Sequence, residues 1–400
     1  MNKKILVITP RFPIPAAGAC EQDRLEGIKQ LKRLRNEVRV IGKVFDFQDK
    51  NKIIDFSVGQ NIPVYLIPYR YDKKLGFMGK FFYYLKRFSR LAYWDGSVYE
   101  YADPEIKKKM TEVLKSWRPD IVWFDYTFML PLYKLARRHN CRIITHSLIY
   151  EPNNLLEEEG RGPMNFARAK LKTLTEYKSV KKSDYIFAIT PDETDLYKKL
   201  GAQNIRTLPL RALYNFIGKN SHVRDRERLN VFFMGSTYNV KHNLRAAKFF
   251  IEEIFPLANK AWPDKFEFFI VGRKLPESLQ AKCAKSENIN YLGFVDDLDK
   301  FLSDMDIALI PSLSGAGMQQ KIFEPIVRGF PTVVSARGLA GYSFTCGQEI
   351  LCATKAEEFV AALGRLLDLA ARKKLSEKAI EKSWELFSRE KSDGLIQQAL

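Results

Sequence analysis

Residues Gly315 to Gly329, GAGMQQKIFEPIVRG, have the residue types and spacing of a phosphate-binding turn. They follow DMDIALIPSLS, an apolar strand pattern entering a loop, and open into a helical pattern with Ile322, Ile326 and Val327 on one face. Glycines therefore stand where a strand turns into a helix N-terminus. Backbone N–H groups are unspent there, and the helix dipole favours an anion. A dinucleotide fingerprint fits poorly. The third glycine of G-x-G-x-x-G is replaced by Gln320, and about 20 residues on stands Arg337, not an acid for a ribose hydroxyl. The stretch is expected to meet a different phosphate-bearing ligand.

Such a turn needs a sheet behind it. The first half opens with the strand KILVIT, a loop rich in Pro and Gly, and the helical run RLEGIKQLKRL, with Leu25, Ile28, Leu31 and Leu34 at spacing three. The strand VRVIG follows, completing a βαβ opening, and DIVWFD, RIITHS and YIFAIT continue the alternation. Residues Leu210 to Asn230 are polar, charged and without clean periodicity, which marks a boundary. A second series then starts: NVFFMG, FEFFIVG, INYLGFV, DIALIPS and PTVVS. The expected fold is α/β, two tandem Rossmann-like doubly wound parallel sheets with ligands at the strand carboxyl ends, in the cleft between domains. The domains are placed at 1–214 and 215–385, with a C-terminal helix over 386–400 packing back on the first.

Composition narrows the partners. The chain of 400 residues carries a net charge of +18, with 39 Lys and Arg against 24 Asp and Glu up to Tyr214, and 26 against 23 beyond it. A basic first half points to an anionic partner: a membrane surface, an anionic lipid or polysaccharide, or nucleic acid. No apolar run is long enough to span a bilayer, and the apolar run in MNKKILVITP is too short for a signal peptide, so a cytoplasmic start is expected. Within residues 80–94, Phe81, Phe82, Leu85, Phe88, Leu91 and Ala92 can share one helical face flanked by Lys80, Lys86, Arg87 and Arg90, the pattern of a helix lying in a membrane interface. The five cysteines and four histidines are scattered, so neither a disulfide frame nor a metal cluster is expected.

The stretches VFFMGSTYNVKHNLRAAKFFIEEIFP, FFIVGRKLP, YLGFVDDLDKFLSDMDIALIPS and GAGMQQKIFEPIVRGFPTVVSARGLAG resemble, in the same order, the nucleotide-sugar domain of GT-B glycosyltransferases. The resemblance is to the large retaining family 4 that builds bacterial surface polysaccharides. The first half resembles the acceptor domain more loosely, through ITPRFPIPAAGACEQDRLEGIKQL, PDIVWFD, IITHS and KSDYIFAITPDE.

The resemblance implies a set of site residues. Glu324 matches the family glutamate that holds the nucleotide's ribose hydroxyls, since a carboxylate can accept two hydrogen bonds from a diol. Lys321 would neutralise the diphosphate, and Gly315 and Gly317 would bring amides close to phosphate or sugar. Gly235 begins a loop facing the diphosphate. Ser236 stands where relatives have an arginine, Lys241 stands near the family lysine, and Asn243 is expected to cap the following helix. The first glutamate of the family's E-x7-E pair is replaced by Ala316, with Arg337 and Gly338 as its substitute. His146, at a strand end, resembles the histidine beside donor sugar and acceptor. Gly18 and Arg24 would approach the donor phosphates. Asp304 and Asp306 look like a D-x-D metal motif but precede a strand, so no metal is expected.

These readings imply a glycosyltransferase using a UDP- or GDP-linked sugar and no further cofactor. Its acceptor would be a lipid-linked or polysaccharide sugar, met at the inner face of the plasma membrane. The alternatives are a non-catalytic GT-B subunit, a sugar-nucleotide epimerase or phosphorylase, and, from charge alone, a nucleic-acid binder that carries no recognised module.

Overall fold

The computed structural model describes residues 2–71, 77–89, 93–315 and 317–400. The chain divides into two compact units, Met1–Arg211 with Ser392–Leu400, and Ala212–Lys391.

The first unit contains β1 (Lys4–Thr9), β2 (Glu37–Val44), β3 (Val64–Pro68), β4 (Ile121–Asp125), β5 (Arg142–Ser147), β6 (Tyr185–Ala188) and β7 (Ile205–Thr207). They form one sheet in the order β3-β2-β1-β4-β5-β6-β7, and every pair is parallel. The second unit contains β8 (Leu229–Thr237), β9 (Phe266–Arg273), β10 (Ile289–Gly293), β11 (Ile307–Ile310), β12 (Thr332–Val334) and β13 (Leu351–Cys352), again all parallel, in the order β10-β9-β8-β11-β12-β13. The helices used below are α1 (Ala19–Arg33), α2 (Phe77–Phe88), α3 (Pro163–Lys182), α4 (Lys241–Phe249), α5 (Gln320–Arg328) and α6 (Arg389–Ala399).

The strands form where they do because their side chains are buried on both faces. Ile5, Leu6 and Ile8 of β1 and Ile307, Ala308 and Leu309 of β11 have no exposed surface, as a parallel sheet covered on both faces requires. Alternate residues feed different cores: Leu6 and Ile8 pack with Val122 and Phe124, whereas Ile5 and Val7 pack with Ile28 and Leu31 of α1. Each such side chain contributes roughly 1.5–3 kcal/mol by leaving water.

Strand order reverses between β1 and β4 in the first sheet, and between β8 and β11 in the second. Chains leaving neighbouring strands at such a point diverge to opposite faces and open a crevice, where ligands of doubly wound sheets sit. The segments after β1, β4, β8 and β11 thereby become the site-forming ones.

Several expectations are corrected. Strands β3, β7 and β13 were not anticipated; they lie at or next to the sheet edges, and the latter two are only three and two residues long. Cys346 and Cys352 are joined in a disulfide, because the turn between them brings their Cα atoms to 5.4 Å. Helix α2 ends at Phe88, so the face expected to run to Ala92 is shorter; Leu91 and Ala92 lie outside the described residues. No described helix is long and apolar enough to cross a membrane.

Candidate functional site

In the second unit, β11 runs out at Ile310 and the chain passes through Ser312, Gly315 and Gly317 into α5. Gly315 has φ 124° and Gly317 φ 69°, conformations that favour glycine. A Cβ on Gly315 would lie 2.0 Å from Gln319 Nε2, so the loop closes tightly over its own helix start. No side chain caps α5, whose N-cap is Gln319. Among the described residues, two polar atoms here, Ser312 Oγ and Gln319 Oε1, are buried without hydrogen-bond partners, although buried polar groups are ordinarily paired. Ala316, expected to stand in the place of a family glutamate, lies outside the described residues.

Next to β11 stands β8. Gly235 lies within that strand, not after it as expected, and packs beneath the Tyr238 ring. Helix α4 begins at Lys241 with Val240 as N-cap, so Asn243 is not the cap. It sits one turn inside, and its amide donates to Thr237 O at 2.8 Å, tying the helix to the strand end. Lys321 Nζ donates to Asn243 Oδ1 at 2.5 Å. One contact thus joins the first turns of α4 and α5, the helices that follow β8 and β11. Lys241 is exposed. Arg337 is exposed in the turn after β12, and Gly338 packs on Ile322 of α5. Arg273 at the end of β9 was not singled out by the sequence; it stacks over Phe294 at 3.8 Å. Only the strand order, which sets β9 beside β8, brings it to this edge.

Glu324 is buried, and both its oxygens are engaged. Oε1 accepts from Arg328 Nε at 2.9 Å, and Oε2 accepts from Gln320 Nε2 at 2.7 Å. Arg328 also pairs with Asp299 at 2.6 Å and donates to Asn220 at 3.1 Å. Arg328 and Gln320 together hold the carboxylate in place.

Asp304 and Asp306 are occupied at the opposite end of β11. Arg226 donates to Asp304 at 2.6 Å, and Asp306 accepts from Asn230 N at 2.9 Å. Among the described residues no group of three or more His, Cys, Asp or Glu is arranged around a common metal position.

In the first unit, His146 lies near the end of β5 and is fully buried. Arg211 Nη2 approaches its Nδ1 at 3.3 Å. A guanidinium cannot accept, so Nδ1 is the acceptor and Nε2 carries the proton; among the described residues Nε2 is buried without a partner. Arg211 is held by Asp23, which accepts from its backbone N at 2.7 Å, Nε at 3.1 Å and Nη2 at 2.7 Å. Burial alone would raise the Asp23 carboxyl, but the charge and hydrogen bonds of Arg211 overcome it and hold Asp23 below its ordinary value. Gly27 makes the arrangement possible, since a Cβ there would lie 1.9 Å from the guanidinium.

Arg24 is also buried. Its Nη1 donates to Thr9 Oγ1 at 2.9 Å and Arg11 O at 2.7 Å, and its Nε donates to Cys20 O at 3.0 Å. It therefore shapes the loop after β1. Gly18 is the N-cap of α1, with extended backbone and no side-chain cap. The buried polar residues of α1, Asp23, Arg24 and Gln30, follow no apolar periodicity and so leave no such signal in the sequence. Gln30 Nε2 donates to Ser392 Oγ at 2.9 Å and Asp393 Oδ1 at 2.8 Å, attaching the end of α6 to the first unit.

Helix α2 leaves its apolar residues in solvent: Met78, Phe81, Phe82, Leu85 and Phe88 are each at least half exposed. Its opposite side is anchored. Tyr83 and Tyr69 each donate to one oxygen of Glu100 at 2.5 Å.

Solved structures share this architecture over nearly the whole chain. HepE of Anabaena, in complex with UDP and glucose, is 12% identical with a TM-score of 0.64, covering 99% of both chains. A sucrose-phosphate synthase of Thermosynechococcus elongatus is 12% identical with a TM-score of 0.69, covering 99% of this chain and 98% of that one. A glycosyltransferase of Rickettsia africae is 13% identical with a TM-score of 0.67, covering 100% and 98%. No curated protein matches in sequence. The chain therefore has the GT-B fold, as the sequence led one to expect. Over residues 228–369, within the second unit, it matches the family described as "Glycosyl transferases group 1".

Proposed function

We propose that the protein transfers a sugar from a UDP-linked donor to a lipid-linked or polysaccharide acceptor in cell-surface glycan synthesis, with retention of anomeric configuration. One observation carries this reading: the Lys321 to Asn243 contact, which joins the first turns of the helices that follow β8 and β11, at the strand-order reversal of a unit that matches group 1 glycosyl transferases over residues 228–369. The donor's diphosphate would lie against the amides of the Gly315–Gly317 turn and the N-terminus of α5, with Lys321 supplying positive charge. Glu324 would accept from the ribose, taking the place of Gln320. HepE, whose structure holds UDP and glucose, favours uridine among the possible bases.

In the transfer, an acceptor hydroxyl oxygen bonds to the anomeric carbon, the bond from that carbon to the diphosphate breaks, and the hydroxyl proton passes to the departing diphosphate. No further cofactor is required. His146 would be the first unit's residue for positioning the acceptor or the sugar. The exposed face of α2 supports an acceptor met at an anionic membrane surface on the cytoplasmic side.

The test is release of nucleoside diphosphate from a panel of UDP- and GDP-linked sugars by purified protein, with Lys321→Ala as control. Release from one UDP-sugar, reduced at least about tenfold in the variant, is expected. Binding of UDP without any turnover across the panel would instead identify a non-catalytic subunit.

A further inference from the structure

A cavity of about 740 Å³ lies at the edge of the first sheet where β5, β6 and β7 begin. That is the edge opposite the strand carboxyl ends, so the segments discussed above take no part in it. Its volume falls in the range of small-ligand pockets, roughly 300–1,000 Å³.

The charge lining it is unbalanced. Arg137, Arg142 and Lys181 face a single acid, Asp184. Asp184 is already satisfied: Oδ1 accepts from Arg137 Nη2 at 2.7 Å, and Oδ2 accepts from Ile143 N at 2.7 Å. Arg142 and Lys181 are left over. Among the described residues, the half-buried Arg142 guanidinium has no hydrogen-bond or ion-pair partner, and neither does the Gln203 amide. Lys181 rests over the Tyr177 ring at 5.6 Å. Its Nζ lies 3.0 Å from where a Cβ on Gly201 would stand, so the glycine, at φ 91°, keeps space open beside the ammonium.

The remaining lining sets the ligand's chemistry. It holds no aromatic ring on which a base could stack, but it does hold the side-chain amides of Asn140, Gln203 and Asn204. Amides both donate to and accept from hydroxyls, and a guanidinium with an ammonium suits a phosphate or carboxylate. We propose that this cavity binds a saccharide bearing an anionic group, such as a sugar phosphate, at a site separate from the donor site. Arg142 and Lys181 take the anion, and the amides take the hydroxyls.

Calorimetric titration of the full chain with glucose 1-phosphate tests this. Saturable binding is expected, weakened about tenfold by Arg142→Gln and about threefold by Gln203→Leu, with inorganic phosphate and neutral glucose each binding more weakly than the sugar phosphate. Lys321→Ala, in the other unit, is expected to leave this binding unchanged, which separates failure here from failure of the donor reading. Absence of saturable binding, or binding insensitive to both cavity variants, overturns the proposal. So does binding abolished by Lys321→Ala, or glucose or phosphate binding as tightly as the sugar phosphate. If Arg142→Gln lowers the unfolding temperature, Gln203→Leu decides alone.

Discussion

Lys321 and Glu324 stand three residues apart on one helix, yet their surroundings separate two effects. Lys321 is half-buried beside a neutral amide, whereas Glu324 neutralises a buried arginine. Lys321→Ala is therefore expected to leave the unfolding temperature nearly unchanged while weakening UDP binding about tenfold, read by calorimetry. Glu324→Ala strips Arg328 of a partner and is expected to cost up to about 3–5 kcal/mol in chemical denaturation, toward the lower end because Asp299 and Asn220 remain. Loss of activity in that variant thus needs a stability measurement beside it. Two other carboxyls govern pH dependence. Burial pushes Glu176 up to about 8 and Glu193 up to about 7. Both stay protonated in the folded chain while the unfolded chain ionises them above its ordinary carboxyl value. The folded state accordingly loses stability as pH rises from about 4.5 toward 8, at roughly 1.4 kcal/mol per unit of pKa difference. The unfolding temperature is expected to fall over that window, and Glu176→Gln to flatten the fall; an unaltered slope would remove Glu176 as its cause.

At the scale of elements, one feature rests on close approach. Gly272 lets β9 meet β8 where the latter's register shifts; a Cβ there would lie 2.3 Å from Gly235 O, at φ 142°. Gly272→Ala is expected to destabilise the chain by more than about 1 kcal/mol, seen as a lower denaturant midpoint, and to weaken UDP binding by displacing the turn after β8. Helix α2 presents the opposite case, apolar residues left exposed among the described residues. Exposing Met78, Phe81, Phe82, Leu85 and Phe88 together is unfavourable in water and favourable in an interface, and Lys86 and Arg87 stand at its end. Replacing Phe81 and Phe82 by Ser is expected to abolish liposome flotation while leaving the far-ultraviolet spectrum unchanged. Equal flotation by both proteins would take α2 out of the membrane reading.

For the whole molecule, charge is the property that no single element carries. The excess of basic residues falls almost wholly in the first half, which also bears α2. Flotation is expected to require anionic lipid and to weaken as salt is raised, because screening shortens the reach of surface charge to about 8 Å at physiological ionic strength. Flotation on neutral vesicles at high salt would show that α2's apolar face acts without the charge.

The amino-acid sequence by itself determined the alternation of strands and helices, the glycine turn before α5 and the GT-B fold class. These depend on local periodicity and on backbone conformations that few residues adopt, and β1 spans the very run KILVIT. Short edge strands such as β7 and β13 offered too little period to read. Tertiary structure alone decided which strand ends are neighbours, and hence that Lys321 meets Asn243, that Arg273 comes to the edge beside β8, and that Arg211 reaches across to Asp23 and His146. It also turned Glu324 onto Arg328 and brought Cys346 to Cys352. The reason is physical. Apolar patterning records how each segment buries itself, whereas pairings between polar groups depend on strand order and burial, which no single segment contains.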